Sequence, residues 1–64
     1  MQIIMQPENI SISIPKAASV TGLLNRLGLR STQALVIRDN QLLTPDERIF
    51  PEDQIIVRKV ASRG

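Results

Sequence analysis

Cysteine, histidine, tryptophan and tyrosine are all missing from this 64-residue chain, and phenylalanine occurs once. Without cysteine and histidine there is no disulfide framework, no thiol nucleophile, no imidazole base and no zinc site of the usual ligand types. A lone aromatic, Phe50, provides no platform on which bases could stack. Long apolar runs are missing too: no segment approaches the roughly 18 residues that a bilayer-spanning helix requires, and the N-terminus has no basic region leading into an apolar stretch. The expectation is a soluble, cytoplasmic protein with no membrane partner. Charge of one sign is also scarce, because eight lysines and arginines face six acids for a net charge of +2. Arg58, Lys59 and Arg63 do cluster, but a short basic run is commonly a solvated strand end, so no nucleic-acid partner is expected.

The six carboxylates, Glu8, Asp39, Asp46, Glu47, Glu52 and Asp53, could supply an acid pair. All six lie in turn-like sequence, where solvated carboxylates are common, so no catalytic residue and no metal ligand is assigned. A chain this short forms one domain, whose core leaves a net stability of only about 3–5 kcal/mol, which favours a regular topology.

What is present is a run of strand signals around one helix signal. Met1 to Met5 reads as a strand with Ile3 and Met5 on one face and Ile4 on the other. Gln6-Pro7-Glu8-Asn9 is a turn, since proline fixes φ and asparagine tolerates unusual backbone angles. Ile10 to Ile14 alternates strictly, with three isoleucines expected inside and two serines facing water. Pro15 ends that strand. Ser19 then caps a helix whose Val20, Leu23, Leu24 and Leu27 form one apolar stripe; Gly28 terminates it, and Leu29 folds back on its last turn.

A third strand, Ala34 to Arg38, is apolar at four consecutive positions, more than one buried face requires. Asp39-Asn40 turns it into a short fourth strand, Gln41 to Leu43. Thr44-Pro45-Asp46-Glu47 has the form of a helix start, so Pro45 to Ile49 is expected to make one helical turn, with Ile49 and Phe50 plugging into the core. The corner Pro51-Glu52-Asp53 precedes a final strand with Ile55 and Val57 on one face and Ile56, Arg58 and Val60 on the other. The order β-β-α-β-β-β is α+β, one helix packed on a mixed sheet. If the last strand inserts beside the first, the two are parallel and the topology is a β-grasp. Residues 1–60 form that domain, and Ala61, Ser62, Arg63 and Gly64 form a flexible C-terminal tail.

The pattern Val36-Ile37-Arg38-Asp39-Asn40-Gln41-Leu42-Leu43, followed by Ile49, Glu52-Asp53, Ile55, Val57, Val60 and Gly64, resembles the small ubiquitin-like sulfur carriers. This group comprises the thiamine-type and molybdopterin-type carriers and related prokaryotic modifiers. The likeness covers nearly the whole chain, because Ser19-Val20 with Leu23-Leu24 also looks like the family's helix start. Asp39-Asn40 stands where the family has Asn-Gly, Glu52 takes the glycine position of a Gly-Asp corner, and Arg63-Gly64 stands where Gly-Gly is usual.

The resemblance implies a carrier rather than an enzyme. It makes the Gly64 carboxylate the group that a partner adenylating enzyme activates with ATP, followed by transfer to a sulfur-acceptor enzyme or to target lysines. No cofactor is bound by the carrier itself. At about 3.3 Å per residue, a four-residue tail reaches roughly 13 Å into a partner's cleft. The face away from the helix is expected to present Ile4, Leu35 with Ile37 (or else Ala34 with Val36), Ile56 and Val60, rimmed by Arg38 and Arg58. Such a face is the form a protein contact surface takes, although a small protein also tolerates exposed β-branched residues. The alternative is a β-grasp interaction module that binds without carrier chemistry, a reading that Arg63 favours.

Overall fold

The computed structural model describes residues 1–60; the expected tail, Ala61 to Gly64, lies outside the described residues. Its elements are β1 (Gln2–Gln6), β2 (Ile10–Ser13), α1 (Val20–Leu27), β3 (Ala34–Arg38), β4 (Gln41–Leu42) and β5 (Ile55–Lys59). The order expected from the sequence is therefore the order found. The five strands form one mixed sheet in the order β2-β1-β5-β3-β4. β5 lies at its centre, parallel to β1 and antiparallel to β3.

Both hairpins follow from residues that accept a positive φ. In the first, Asn9 has φ 57°, and β2 returns along β1 with Ile3 opposite Ile12 and Ile4 opposite Ser11. In the second, Asp39 and Asn40 have φ 53° and 64°, the two left-handed central residues of a tight hairpin turn. This places Gln41 opposite Arg38 and Leu42 opposite Ile37. Asp and Asn reach this region at modest cost because their short polar side chains bond locally, which is how Asp39-Asn40 performs the turn of an Asn-Gly pair.

The helix begins and ends where its capping residues predict. The Ser19 hydroxyl accepts from the Gly22 N–H at 3.1 Å. Gly28, at φ 73°, closes the other end: its N–H donates to the Asn25 carbonyl at 3.1 Å, and the Leu29 N–H donates to the Leu24 carbonyl at 2.9 Å. Val20, Leu23 and Leu24 are buried against Ile3, Val36, Ile55 and Val57 of the sheet, with Leu43 and Ile49 closing the layer.

Four local expectations are corrected. Pro45 to Ile49 is not a helical turn. Such a turn needs the Ile49 N–H to donate to the Pro45 carbonyl, whereas it donates to the Ala18 carbonyl at 3.1 Å. The Pro45 carbonyl accepts from the Thr21 N–H and hydroxyl, and the Glu47 carbonyl accepts from the Val20 N–H, so this segment satisfies the free donors at the start of α1 instead. Phe50 is 48% exposed, and only Ile49 of that pair enters the core. The isoleucines of the second strand are not fully buried: Ile12 and Ile14 are half-buried and Ile10 is 52% exposed. Arg38 does not rim the outer face, because it shares the parity of Ala34 and Val36 and sits on the helix side of the sheet.

Candidate functional site

Strand parity decides which of the apolar residues in β1, β3 and β5 are surplus to the core. Ile3, Val36, Ile55 and Val57 point under the helix, so Ile4, Leu35, Ile37, Ile56 and Arg58 point to the opposite face. Of the two expected alternatives for β3, the outward pair is Leu35 and Ile37. Register then builds a row across the sheet: Ile56 of β5 lies between Ile4 of β1 and Ile37 of β3, and Leu42 of β4 lies beyond Ile37. The next row sets Arg58 between Gln6 and Leu35. Val60 continues the outward parity, its N–H bonded to the Gln33 carbonyl at 2.9 Å. All six expected surface residues thus belong to this face.

Leu42 was not anticipated there, although it is the most exposed large apolar residue at 61%. The signal was legible, because a two-residue turn at Asp39-Asn40 necessarily sets Leu42 opposite Ile37. At the end of the face nearest β5's start, an open groove separates Ile4, Ile37 and Ile56 from the corner Pro51-Glu52-Asp53.

That corner is held by one carboxylate. Asp53 Oδ2 accepts from the Phe50 N–H at 2.8 Å and from Arg38 Nη1 at 2.9 Å, and Arg38 Nη1 also reaches the Arg48 carbonyl at 3.0 Å. The Phe50 N–H, then the hydrogen bond and charge of Arg38, hold the Asp53 carboxyl below its ordinary range. The arrangement ties the start of β5 to the end of β3. At the other end of β5, Lys59 pairs with Glu8 at 3.3 Å, and a backbone N–H together with that ammonium lowers the Glu8 pKa.

Among the described residues no three carboxylates gather into a metal-binding group, and no helix is long and apolar enough to cross a membrane. Gly64 and the other expected tail residues lie outside the described residues, which end at Val60 just after β5. No family model matches this chain, and no curated protein matches it.

Proposed function

We propose that this chain is a β-grasp carrier of the ubiquitin-like kind, activated at the Gly64 carboxylate. The observation that carries the reading is the strand order β2-β1-β5-β3-β4, with β1 and β5 parallel at its centre and the helix following β2. In that order the last strand is paired on both sides, with β1 and with β3, and the described chain reaches Val60, whose N–H donates to the Gln33 carbonyl. A carboxylate is a poor electrophile until its oxygen is made a leaving group. A partner enzyme binds ATP, the Gly64 carboxylate attacks the α-phosphorus, and pyrophosphate leaves. A sulfur nucleophile then displaces AMP to give a thiocarboxylate or a thioester, and a sulfur-acceptor enzyme or a lysine amine receives the product. The carrier contributes position and recognition, and none of its side chains takes part in the bond changes.

The outer face is the surface by which the adenylating enzyme holds the domain while the tail enters its active site. Ile4, Ile56, Ile37 and Leu42 supply a continuous apolar row, and Arg58 supplies a charge at its border. The test is ATP–pyrophosphate exchange by a carrier-activating enzyme on addition of this chain. Exchange is expected with the native chain, is expected to disappear on deletion of Gly64, and is expected to weaken about tenfold with Leu42→Lys, a loss of roughly 1.4 kcal/mol in binding.

The same apolar row supports a second reading, a non-covalent interaction module. In that case deletion of Gly64 leaves partner binding intact while Leu42→Lys still weakens it, which separates the two.

A further inference from the structure

Positive charge is not spread evenly over the molecule. β5 and α1 start at one end and finish at the other. At the first end, Arg38 Nη1 links Asp53, just before β5, to the carbonyl of Arg48, which bridges to the N-cap Ser19. At the second, Val60 donates to the Gln33 carbonyl, and Gln33 closes a turn that Arg30 begins, two residues past the helix C-cap Gly28. Five of the six carboxylates, Asp39, Asp46, Glu47, Glu52 and Asp53, lie at the first end. Lys16, Arg38, Arg48 and the Met1 ammonium nearly cancel them there. The second end holds Arg26, Arg30, Arg58 and Lys59, against Glu8 alone among the described residues. The excess of positive charge in the sequence therefore lies where β5 finishes.

These cations surround the strand end. Parity sets Arg58 on the outer face and Lys59 on the helix side. Arg30 is placed by its turn: its N–H donates to Gln33 Oε1 at 2.9 Å, and its carbonyl accepts from the Gln33 N–H at 2.9 Å. Arg26 occupies the last turn of α1. All four are exposed, and among the described residues only Lys59 has a carboxylate partner, Glu8 at 3.3 Å. Arg26 has a local use, since a cation in the last turn complements the helix dipole. Arg30 and Arg58 have no such use within the fold.

We propose that this basic end docks on a protein surface whose carboxylates rim the cleft that receives the C-terminal residues, and that the uneven charge turns the domain so that the end of β5 arrives first. The partner's identity rests on the carrier reading above; the chemistry of its surface follows from the charges. An acidic rim attracts the cationic end, while the nearly balanced far end gains little by facing it, so encounter is both faster and better oriented. Two observations favour a protein over a nucleic acid. The cations sit on a strand end, a turn and a helix end, on both sides of the sheet, rather than along a groove that could track a phosphate backbone, and the one aromatic residue offers no stacking platform. Arg58 also adjoins Leu35 and borders the row of Ile4, Ile56 and Ile37, so the basic end continues into an apolar surface. An apolar patch bordered by charge is the composition of a protein contact.

Stopped-flow association of the full chain with a carrier-activating enzyme reads the proposal directly, at ionic strengths from about 10 mM to about 1 M, over which the screening length falls from about 30 Å to about 3 Å. The association rate constant is expected to fall about tenfold or more across that range, with the dissociation rate constant changing much less. Arg26→Glu with Arg30→Glu is expected to slow association about tenfold at the lowest ionic strength and to match the native chain at the highest. Arg26→Gln with Arg30→Gln gives a smaller loss in the same direction, and circular dichroism checks that each variant is folded. Lys16→Glu makes the same change of charge as Arg30→Glu, but at the far end, because Lys16 follows the strand whose last residues pair with the start of β1. It is expected to alter association by less than about twofold. Association indifferent to salt, equal losses from Lys16→Glu and Arg30→Glu, or tighter binding to single-stranded RNA than to the enzyme at the same ionic strength overturns the proposal. Salt-indifferent association with ATP–pyrophosphate exchange intact overturns it alone. Association that depends on salt and on these arginines, without exchange, supports the docking surface and removes the carrier reading; absence of both association and exchange overturns the two together.

Discussion

Asp53 and Arg38 each make two side-chain hydrogen bonds at the corner before β5. The Asp53 carboxylate accepts with one oxygen from the Phe50 backbone and from Arg38, which closes the corner before the central strand. Its folded pKa is lowered, as are those of Glu8 and Asp46, the last through the Thr44 hydroxyl and its own backbone N–H. In each case the unfolded chain takes up a proton at a higher pH than the folded one. The stabilisation is therefore fully present above the ordinary carboxylate range of about 4, and it is lost as pH falls through the lowered values. Thermal unfolding followed from neutral pH downward is expected to show a flat midpoint to about pH 5 and a decline below it. Asp53→Asn is expected to lower the neutral-pH midpoint and make the acid decline shallower. An unchanged acid slope in that variant would remove Asp53 from the account. The carboxylate's location in a corner was legible from Pro51-Glu52-Asp53, but its partner was not. Arg38 sits fifteen residues away, and its helix-side placement depends on the register of β3 rather than on the residue itself. Phe50 failed for a related reason: its backbone is tied into the corner, and that geometry leaves the ring outside.

Among the elements, α1 was the most legible, since both ends are fixed by local chemistry that needs no tertiary information. Ser19→Ala is expected to cost about 1 kcal/mol, or roughly 4–8 °C in the unfolding midpoint of a domain this size. Gly22→Ala is expected to be neutral or to stabilise by up to about 1 kcal/mol. Its new methyl would meet only the Ser19 hydroxyl oxygen, at an ordinary 3.5 Å. A marked destabilisation by the Gly22 change would mean that this turn of the helix is packed more tightly than described. The second strand was legible in position and face but not in burial. Alternation specifies which side chains share a face; whether anything covers that face depends on the length of the opposing layer. β2 is an edge strand of the five-strand sheet, and Ile10 on its helix side is 52% exposed. The edge isoleucines are left partly bare. The Thr44-Pro45-Asp46-Glu47 signature misled for another reason: its carbonyls are claimed by the N–H groups at the start of α1, a long-range demand that local sequence does not display.

At the scale of the whole molecule, one face of the sheet is buried under the helix and the other carries exposed apolar residues, and the effects of substitutions on stability should divide accordingly. Leu23 is fully buried beneath the sheet. Leu23→Ala is expected to cost about 2–5 kcal/mol against a total near 3–5 kcal/mol, which leaves a largely unfolded chain by circular dichroism at room temperature. Leu42→Lys, at the exposed end of the outer row, is expected to change stability by no more than about 0.5 kcal/mol. Comparable losses from the two would contradict the division. The element order and the parallel pairing of first and last strands were both legible, because two hairpins flanking one helix leave the final strand few places to insert. Of the outer row, Ile4 and Ile56 were legible, Ile37 only as one of two alternatives for β3 and Leu42 not at all, and its completeness emerged only once register aligned four strands. The proposed carrier function joins this scaffold to the Gly64 carboxylate. The most direct measurement is the intact mass of the native chain after incubation with a carrier-activating enzyme, ATP and a sulfur donor. The expected result is a gain equal to replacing one oxygen by sulfur, located at Gly64 and absent when ATP is withheld. An unchanged mass, under conditions in which the enzyme thiolates its own carrier, would contradict it.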